Sequence, residues 1–349
     1  MSNITSSGPN NVPQLPRILQ NQETFSTEEY RHRVTPLVVA LERRNIPCWI
    51  RNLRSNAFFA GALMYLCADE FDVVVTVSHR PAMVFGLLTR LFSRRKALHV
   101  AKEFFFEGVA VNANSIKNQL LSGLYRFALA NLDAAVVNAT AEINAYARDL
   151  GLPKNRFIFI PWPSNISQPE MIEDSDGSIF AVGRSLRDWD TFFKAVEGLK
   201  QRCVVVASRA DVSNLRVPAN VELHCDIAHD KYLSLLQQSK IVVVPLLETS
   251  RSTGQASFLE AMAYGKPVIV AGVTGAWDYI SNRNSGLLYR PGDVLNLRQT
   301  IEELDNDQAL RNTIARGGLE AIQNRFNKQT YAQEMLATID TLHASSLPS

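Results

Sequence analysis

Residues 252–270 read STGQASFLEAMAYGKPVIV, a small-residue turn, a short helix with one acidic side chain, and a buried strand in immediate succession. Ser252, Thr253 and Gly254 are suited to cap a helix that starts near Gln255. Unpaired backbone N–H groups and the positive end of the helix dipole gather at such a point and favour a phosphate. Glu260 stands about five residues in, roughly 7–8 Å along the axis at 1.5 Å per residue. That span suits the distance from a nucleotide's phosphates to its ribose hydroxyls. Ala256 and Ser257, one turn earlier on the same face, are small enough to let a ligand lie against the backbone. Leu259, Met262 and Ala263 form the opposite, core-facing stripe. Gly265-Lys266-Pro267 stops the helix, and Val268-Ile269-Val270 reads as an interior strand.

Outward from this stretch, helical and strand patterns alternate along the chain. The first half predicts helix 27–45, strand 48–51, helix 55–69, strand 72–77, helix 81–94, strand 97–102, helix 115–131, strand 134–138, helix 140–150 and strand 156–160. The second half predicts strand 178–182, helix 188–199, strands 203–207 and 221–224, helix 229–238 and strand 241–245. After the opening stretch come helix 275–281, strand 286–289 and helices 294–305, 307–325 and 328–343. Such alternation implies parallel sheets covered by helices. The fold class expected is α/β, two doubly wound Rossmann-type domains facing across a cleft, with ligands beyond the carboxyl ends of the strands. The expected division is a loose polar tail over 1–25, with at most a short strand near Arg17-Ile18-Leu19, a first domain over 26–165 and a second over 166–327. A last helix, 328–349, would pack back on the first domain. Pro161-Trp162-Pro163-Ser164-Asn165 and the polar stretch 168–177 form the connection.

A chain of 349 residues suits two domains, and 46% hydrophobic with 20% charged residues is ordinary globular composition. Cys48, Cys67, Cys203 and Cys225 show no metal-ligand spacing and point to a reducing, cytoplasmic setting. The start, MSNITSSGPNNVPQ, has no signal-peptide pattern, and no apolar run is long enough to span a bilayer. The net charge of +2 conceals an asymmetry: residues 1–165 hold 18 Lys+Arg and 12 Asp+Glu, the remainder 18 and 22. RHRVTPLVVALERR (31–44) and LTRLFSRRKALHV (88–100) read either as amphipathic helices with solvated polar faces or as a surface that leans on anionic lipid. The latter makes the protein peripheral on the inner face of a membrane. No strand–GxGxxG–helix fingerprint and no aromatic-interleaved basic motif occur, which argues against a nicotinamide dehydrogenase and against nucleic-acid binding.

Five stretches in the second half resemble, in order and spacing, the donor-nucleotide domain of family 4 retaining glycosyltransferases, which have the GT-B fold. They are FAVGRSLRDWDTFFKAV (180–196), YLSLLQQSKIVVVPLLE (232–248), STGQASFLEAMAYGKPVIV, VTGAWDYI (273–280) and NSGLLYRPGD (284–293). The resemblance weakens over 60–165 and nearly vanishes before residue 50. It implies that Gly183 permits close approach of a ligand, and that Arg184 and Arg187 neutralise the donor diphosphate as it leaves. The helix start at Ser252, Thr253, Gly254 and Gln255 would add backbone donors, Glu260 would grip the ribose diol, and Ile227 in Cys225-Asp226-Ile227 would border the base. Outside the family order, each of these reads as a surface arginine, a turn glycine or a solvated glutamate.

The resemblance also exposes a departure. The family's first glutamate, eight positions before the second, is Ser252 here, and a serine cannot make its charged contact to the transferred sugar. Gln255 or Thr253 substitutes, Glu248 swings in from the end of its strand, or the protein binds the nucleotide-sugar without turning it over. On the acceptor side, VVVTVSHRPAMV (73–84) puts Ser78 and His79 after a buried strand. ALHVAKEFFFEG (97–108) puts Lys102, Glu103 and Glu107 where relatives often carry a histidine. Glu103 either polarises an acceptor hydroxyl or pairs with an arginine at the sheet edge. Asn138 and Thr140 are further cleft candidates, and His99 reads as a core histidine. The family's first-domain glycine-rich turn is missing; Gln20-Asn21-Gln22 stand in its place. Asp188-Trp189-Asp190 reads as a helix N-cap rather than a metal motif.

The expected function is transfer of a sugar from a nucleoside-diphosphate donor to a glycan or lipid acceptor, with retention, in cell-envelope or polysaccharide biosynthesis. The resemblance implies a front-face reaction in which the leaving phosphate takes the acceptor's proton, and no cofactor or metal. The alternative is a nucleotide-sugar-binding protein with little or no catalysis.

Overall fold

The computed structural model describes residues 15–22, 27–92, 97–104, 116–173, 175–249 and 251–347. The first half holds β1 (Ile18–Gln20), α1 (Glu28–Arg33), β2 (Val34–Pro36), α2 (Leu37–Arg43), α3 (Cys48–Asn52) and α4 (Ala57–Cys67). β3 (Val73–Val77), α5 (His79–Leu91), β4 (Leu98–Lys102), α6 (Ile116–Leu129), β5 (Ala134–Val137), α7 (Thr140–Leu150) and β6 (Phe157–Phe159) follow. These strands make one parallel six-stranded sheet in the order β2-β1-β3-β4-β5-β6.

The second half holds β7 (Ile179–Gly183), α8 (Trp189–Val196), β8 (Cys203–Ala207), α9 (Arg209–Val212), β9 (Val221–Cys225), α10 (His229–Gln238) and β10 (Ile241–Val244). It continues with α11 (Gln255–Ala263), β11 (Val268–Ala271), β12 (Leu287–Tyr289), α12 (Val294–Asn306), α13 (Gln308–Asn324) and α14 (Lys328–Ser346). Its sheet, also parallel, runs β12-β11-β10-β7-β8-β9. Strand order therefore reverses between β7 and β10, and a crevice opens there beyond the carboxyl ends of the strands.

Runs such as VVVTV, CVVVA and IVVV are buried at every position because helices cover both faces of each sheet. The second core joins Phe180, Trp189, Phe192, Phe258, Met262 and Ile301. α14 returns to the first sheet: Tyr331, Met335 and Ile339 share a cluster with Ile18, Val73 and Val100, and Arg33 Nη1 donates to Asp340 Oδ2 at 2.8 Å.

Three local expectations are corrected. Helix 27–45 is broken by β2, since Thr35 precedes Pro36 and leaves the α region, and Val34-Thr35-Pro36 pairs with β1 instead. Strand 48–51 is the helix α3, which follows Pro47 and buries none of its residues. Helix 275–281 is a single tight turn, Ala276–Asp278, entered through Gly275 at φ 89°. Within the polar stretch 1–25, the short strand expected near 17–19 is the interior strand β1; residues 1–14 and 23–25 lie outside the described residues, as does Glu107.

The segment 31–44 is accordingly no single amphipathic helix, and Arg94, Arg95 and Lys96 of 88–100 lie outside the described residues. Exposed apolar side chains nevertheless gather on the adjoining helices α4, α5 and α6. They are Phe58, Phe59 and Leu66 on α4, Leu91 and Phe92 at the end of α5, and Leu120, Leu121, Leu124 and Phe127 on α6. The Arg90 guanidinium lies 4.2 Å from the centre of the Phe127 ring.

Candidate functional site

The crevice between β7 and β10 holds a cavity of about 490 Å³, within the range of small-molecule sites. Val182, Gly183 and Arg184 reach it from the end of β7, Val206 and Ala207 from β8, and Asp226 and Ile227 from beyond β9. Arg251 through Ser257 and Glu260 form the opposite wall. All nine donor-side candidates, Gly183, Arg184, Arg187, Ile227, Ser252, Thr253, Gly254, Gln255 and Glu260, border this one cavity.

Gly183 ends a fully buried strand, and a methyl group built on it would run into the Arg187 side chain. Only glycine lets that guanidinium fold back over the strand end. Arg187 Nε donates to Val182 O at 3.0 Å, Nη1 to Ser185 O at 2.7 Å and Nη2 to Ser257 Oγ at 3.1 Å. Burial lowers its pKa to about 10, which leaves it cationic at neutral pH. Arg184 is exposed at the cavity mouth. Two cations, one fixed and one free to adjust, thus face the start of α11.

That start is built by Gly254, the N-cap, in the left-handed region at φ 86°; no side chain caps the helix. Ser252 was expected as part of the cap. Instead its hydroxyl and amide both bond Glu142. The first-turn N–H groups of Gln255 and Ala256 lack intrahelical partners by geometry and remain at the cavity wall. Gln255 is buried, and its Nε2 has no hydrogen-bond partner among the described residues. Glu260 is 5% exposed and accepts a 2.7 Å hydrogen bond from Tyr232 Oη. Asp188 caps α8 by accepting from Thr191 N at 3.0 Å. Glu248 is exposed and lies outside the cavity wall.

None of the six acceptor-side candidates borders this cavity. Ser78, at φ 81°, is the N-cap position of α5, and the His79 ring lies 6.0 Å from that of Tyr125. Both stand at the carboxyl end of β3, as their place after a buried strand implied. Lys102 does not face a cleft: it is fully buried, with Nζ 5.2 Å from the Tyr30 ring and 5.8 Å from the Tyr331 ring. Burial lowers its pKa to about 8, against a smaller upward pull from Glu103. Glu103 is half-buried at φ 51°, directly after β4. His99 is the core histidine expected, 3.0 Å from Thr76 Oγ1 and edge-on to Phe85. Asn21 stands where the missing glycine-rich turn would lie, and its Oδ1 accepts from Val77 N at 2.7 Å, tying β1 to β3.

Asn138 and Thr140 serve a different purpose. Thr140 N and Oγ1 donate to Asp278 at 2.9 and 2.8 Å, and Asn138 O accepts from Tyr279 Oη at 2.8 Å. Tyr279 Oη also accepts from Trp162 N at 2.8 Å. Together with Glu142–Ser252 these bonds form a polar seam between the two sheets' units, beside the cavity. Sequence reading missed Glu142 in this seam, and Tyr232, His229 and Trp162, which border the cavity. Glu142 carried a signal only for a helix start, as an acid in the first turn of α7. Trp162 was hidden in a stretch read as connection.

Residues 176–307 match the family model described as "Glycosyl transferases group 1". The chain is 28% identical over 175 residues to the capsular polysaccharide biosynthesis glycosyltransferase CapM of Staphylococcus aureus, covering 46% of this chain and 45% of that protein. The matched region is thus under half of that relative's length. It is 24% identical over 300 residues to the N,N'-diacetylbacillosaminyl-diphospho-undecaprenol alpha-1,3-N-acetylgalactosaminyltransferase of Campylobacter jejuni, covering 78% and 77%. Among solved structures, Anabaena Alr3699/HepE in complex with UDP-glucose superposes with a TM-score of 0.68 at 16% identity, covering 93% of this chain and all of that one. At that identity the likeness establishes the fold.

Proposed function

We propose that this chain, whose C-terminal half is a group 1 glycosyltransferase domain in a GT-B fold, transfers a hexose-type sugar from a nucleoside-diphosphate donor to a glycan or lipid-linked acceptor with retention. The observation that carries the reading is the cavity at the strand-order reversal. Its wall brings together two arginines, a helix start with no side-chain cap and a buried carboxylate, groups that suit a diphosphate and a ribose diol. The Campylobacter relative, by its name, acts on a diphospho-undecaprenol substrate, which motivates a lipid-linked acceptor.

In the reaction proposed, the bond from the sugar's anomeric carbon to the diphosphate breaks as the acceptor oxygen bonds the same face of that carbon. The acceptor's proton passes to the departing phosphate oxygen. Arg184, Arg187 and the α11 amides hold the negative charge that develops there, without a metal or other cofactor. Gln255, with an unspent buried donor, takes over a contact to the donor that a glutamate at 252 would otherwise make. His79 and Glu103 line the acceptor route. The exposed apolar helices α4 to α6, on the more basic half of the chain, rest on an anionic membrane surface that presents the acceptor.

A screen of nucleotide-sugars, scored by release of nucleoside diphosphate, tests this reading with Arg184→Ala and Glu260→Ala as controls. Saturable binding without turnover on any donor and acceptor would favour the second reading, a nucleotide-sugar-binding protein, which the loss of the glutamate at 252 motivates. Unchanged donor affinity in both variants would remove the site assignment.

A further inference from the structure

The strongest feature outside the donor cavity is Glu142, a buried carboxylate of the first half that reaches the second. Its Oε1 accepts from Ser252 N at 2.7 Å, Ser252 Oγ at 2.8 Å and Tyr146 Oη at 3.3 Å. Its Oε2 accepts from Asn138 N at 2.9 Å and Ala139 N at 3.0 Å. Glu142 is 1% exposed and Ser252 2%. Five donors and the first turn of α7 thus satisfy the carboxylate, and no salt-bridging cation accompanies it among the ion pairs of the described residues.

We infer that Glu142 is a positioning residue for the donor turn, acting from the opposite sheet's unit, and that its presence is what requires serine at position 252. The inference rests on the donor-site reading above. Ser252 lies two residues before Gly254, so the bonds to Glu142 hold the turn that presents the α11 N–H groups to the cavity. A methyl group built on Gly275 would collide with the Ser252 side chain and press on Ala139, so Gly275 is what lets the braced serine pack at this corner. A glutamate at 252 would bring a second carboxylate against the buried Glu142, with no cation to separate them. The carboxylate at this corner comes from the first half, as a brace for the turn rather than as a contact to sugar. Forming the donor turn and closing the two halves become one event, because the brace exists only when both are in place.

Initial rates of nucleoside-diphosphate release across donor concentration, with thermal melts and amide hydrogen exchange over residues 251–257, test this. Glu142→Ala is expected to raise the donor KM by about tenfold, with a smaller change in kcat, and to speed exchange across the turn. Ser252→Ala, which loses one of the two bonds and keeps the fold, is expected to raise KM about threefold. Ser252→Glu alone should lower kcat/KM by about a hundredfold, and adding Glu142→Ser should recover at least tenfold of it. That recovery is beyond a residue that merely supports the fold. Faster exchange with unchanged KM, no recovery in the paired variant, or a wild-type rate in Ser252→Glu would each overturn the inference. If the wild-type chain binds no nucleotide at all, the donor-site reading fails and this one with it, even where exchange still reports the brace.

Discussion

Tyr232 Oη donates a 2.7 Å hydrogen bond to Glu260 Oε2, joining α10 to α11 at the wall of the cavity. Both side chains are buried, and burial with the neighbouring carboxylate pushes the phenol well above its ordinary range. Tyr232 therefore stays a donor at every working pH, and one Glu260 oxygen is held while the other remains for a ligand. Tyr232→Phe is expected to lower stability by about 1–3 kcal/mol and nucleotide affinity by about tenfold. Urea unfolding and calorimetric titration measure the two, and unchanged affinity would show that Glu260 needs no such anchor.

Gly183→Ala addresses the close pass of Arg187 over the end of β7. The added methyl displaces a guanidinium held by Val182 O, Ser185 O and Ser257 Oγ. A fall of about a hundredfold in nucleoside-diphosphate release is expected, with a stability cost of about 1–3 kcal/mol. Arg187→Lys should lose nearly as much, since an ammonium cannot span the three acceptors. Near-normal rates in Gly183→Ala would mean that Arg187 is not needed where the structure holds it.

Gln255→Ala separates sugar from phosphate. The unspent Gln255 Nε2 is proposed to contact the donor in place of a glutamate at 252. The variant should raise the nucleotide-sugar KM about five- to tenfold and leave affinity for the nucleoside diphosphate alone unchanged. Equal losses for both ligands would assign Gln255 to the phosphates instead.

Lys102 makes stability depend on pH in a defined sense. Burial lowers its folded pKa to about 8 from 10.5, so the unfolded chain binds the proton more tightly. Between those values the unfolded state carries more protons, and stability rises as pH rises. The shift corresponds to about 3 kcal/mol, fully felt below pH 8. Lys102→Met should flatten the pH dependence of the unfolding free energy between about pH 8 and 10. An unchanged slope in that window would place its origin elsewhere.

The apolar faces of α4, α5 and α6 bear on membrane contact. Co-sedimentation with anionic vesicles should be strong at low salt and weaken at high salt. Leu120→Glu with Leu124→Glu should reduce it severalfold without changing turnover of a soluble acceptor. Absence of salt-sensitive binding in the parent chain removes the membrane from the proposal.

Much of this was legible in one dimension. Alternating β-branched runs and amphipathic stretches specify parallel sheets because a strand covered on both faces must be apolar throughout. Glycine 183, the arginines after it and the STGQ–Glu260 spacing marked residues that come to border one cavity, since short-range geometry sets both a helix start and the reach of a carboxylate along it. Failures came where local pattern met a neighbour: Thr35 before Pro36 joins a sheet edge, and Cys48–Asn52 finds no strand to pair with.

The sequence by itself determined the α/β class, the alternation of elements and the residues of one cavity wall, because those follow from periodicity and from residues a few positions apart. Only the tertiary structure decided what Ser252, Asn138, Thr140 and Lys102 do. Glu142 lies 110 residues from Ser252 and Asp278 lies 138 from Thr140, and no pattern along the chain records bonds that form when two sheets meet. Whether a polar side chain after a buried strand faces a ligand, a partner across the seam or the core depends on which surface closes over it. That is a property of packing in three dimensions.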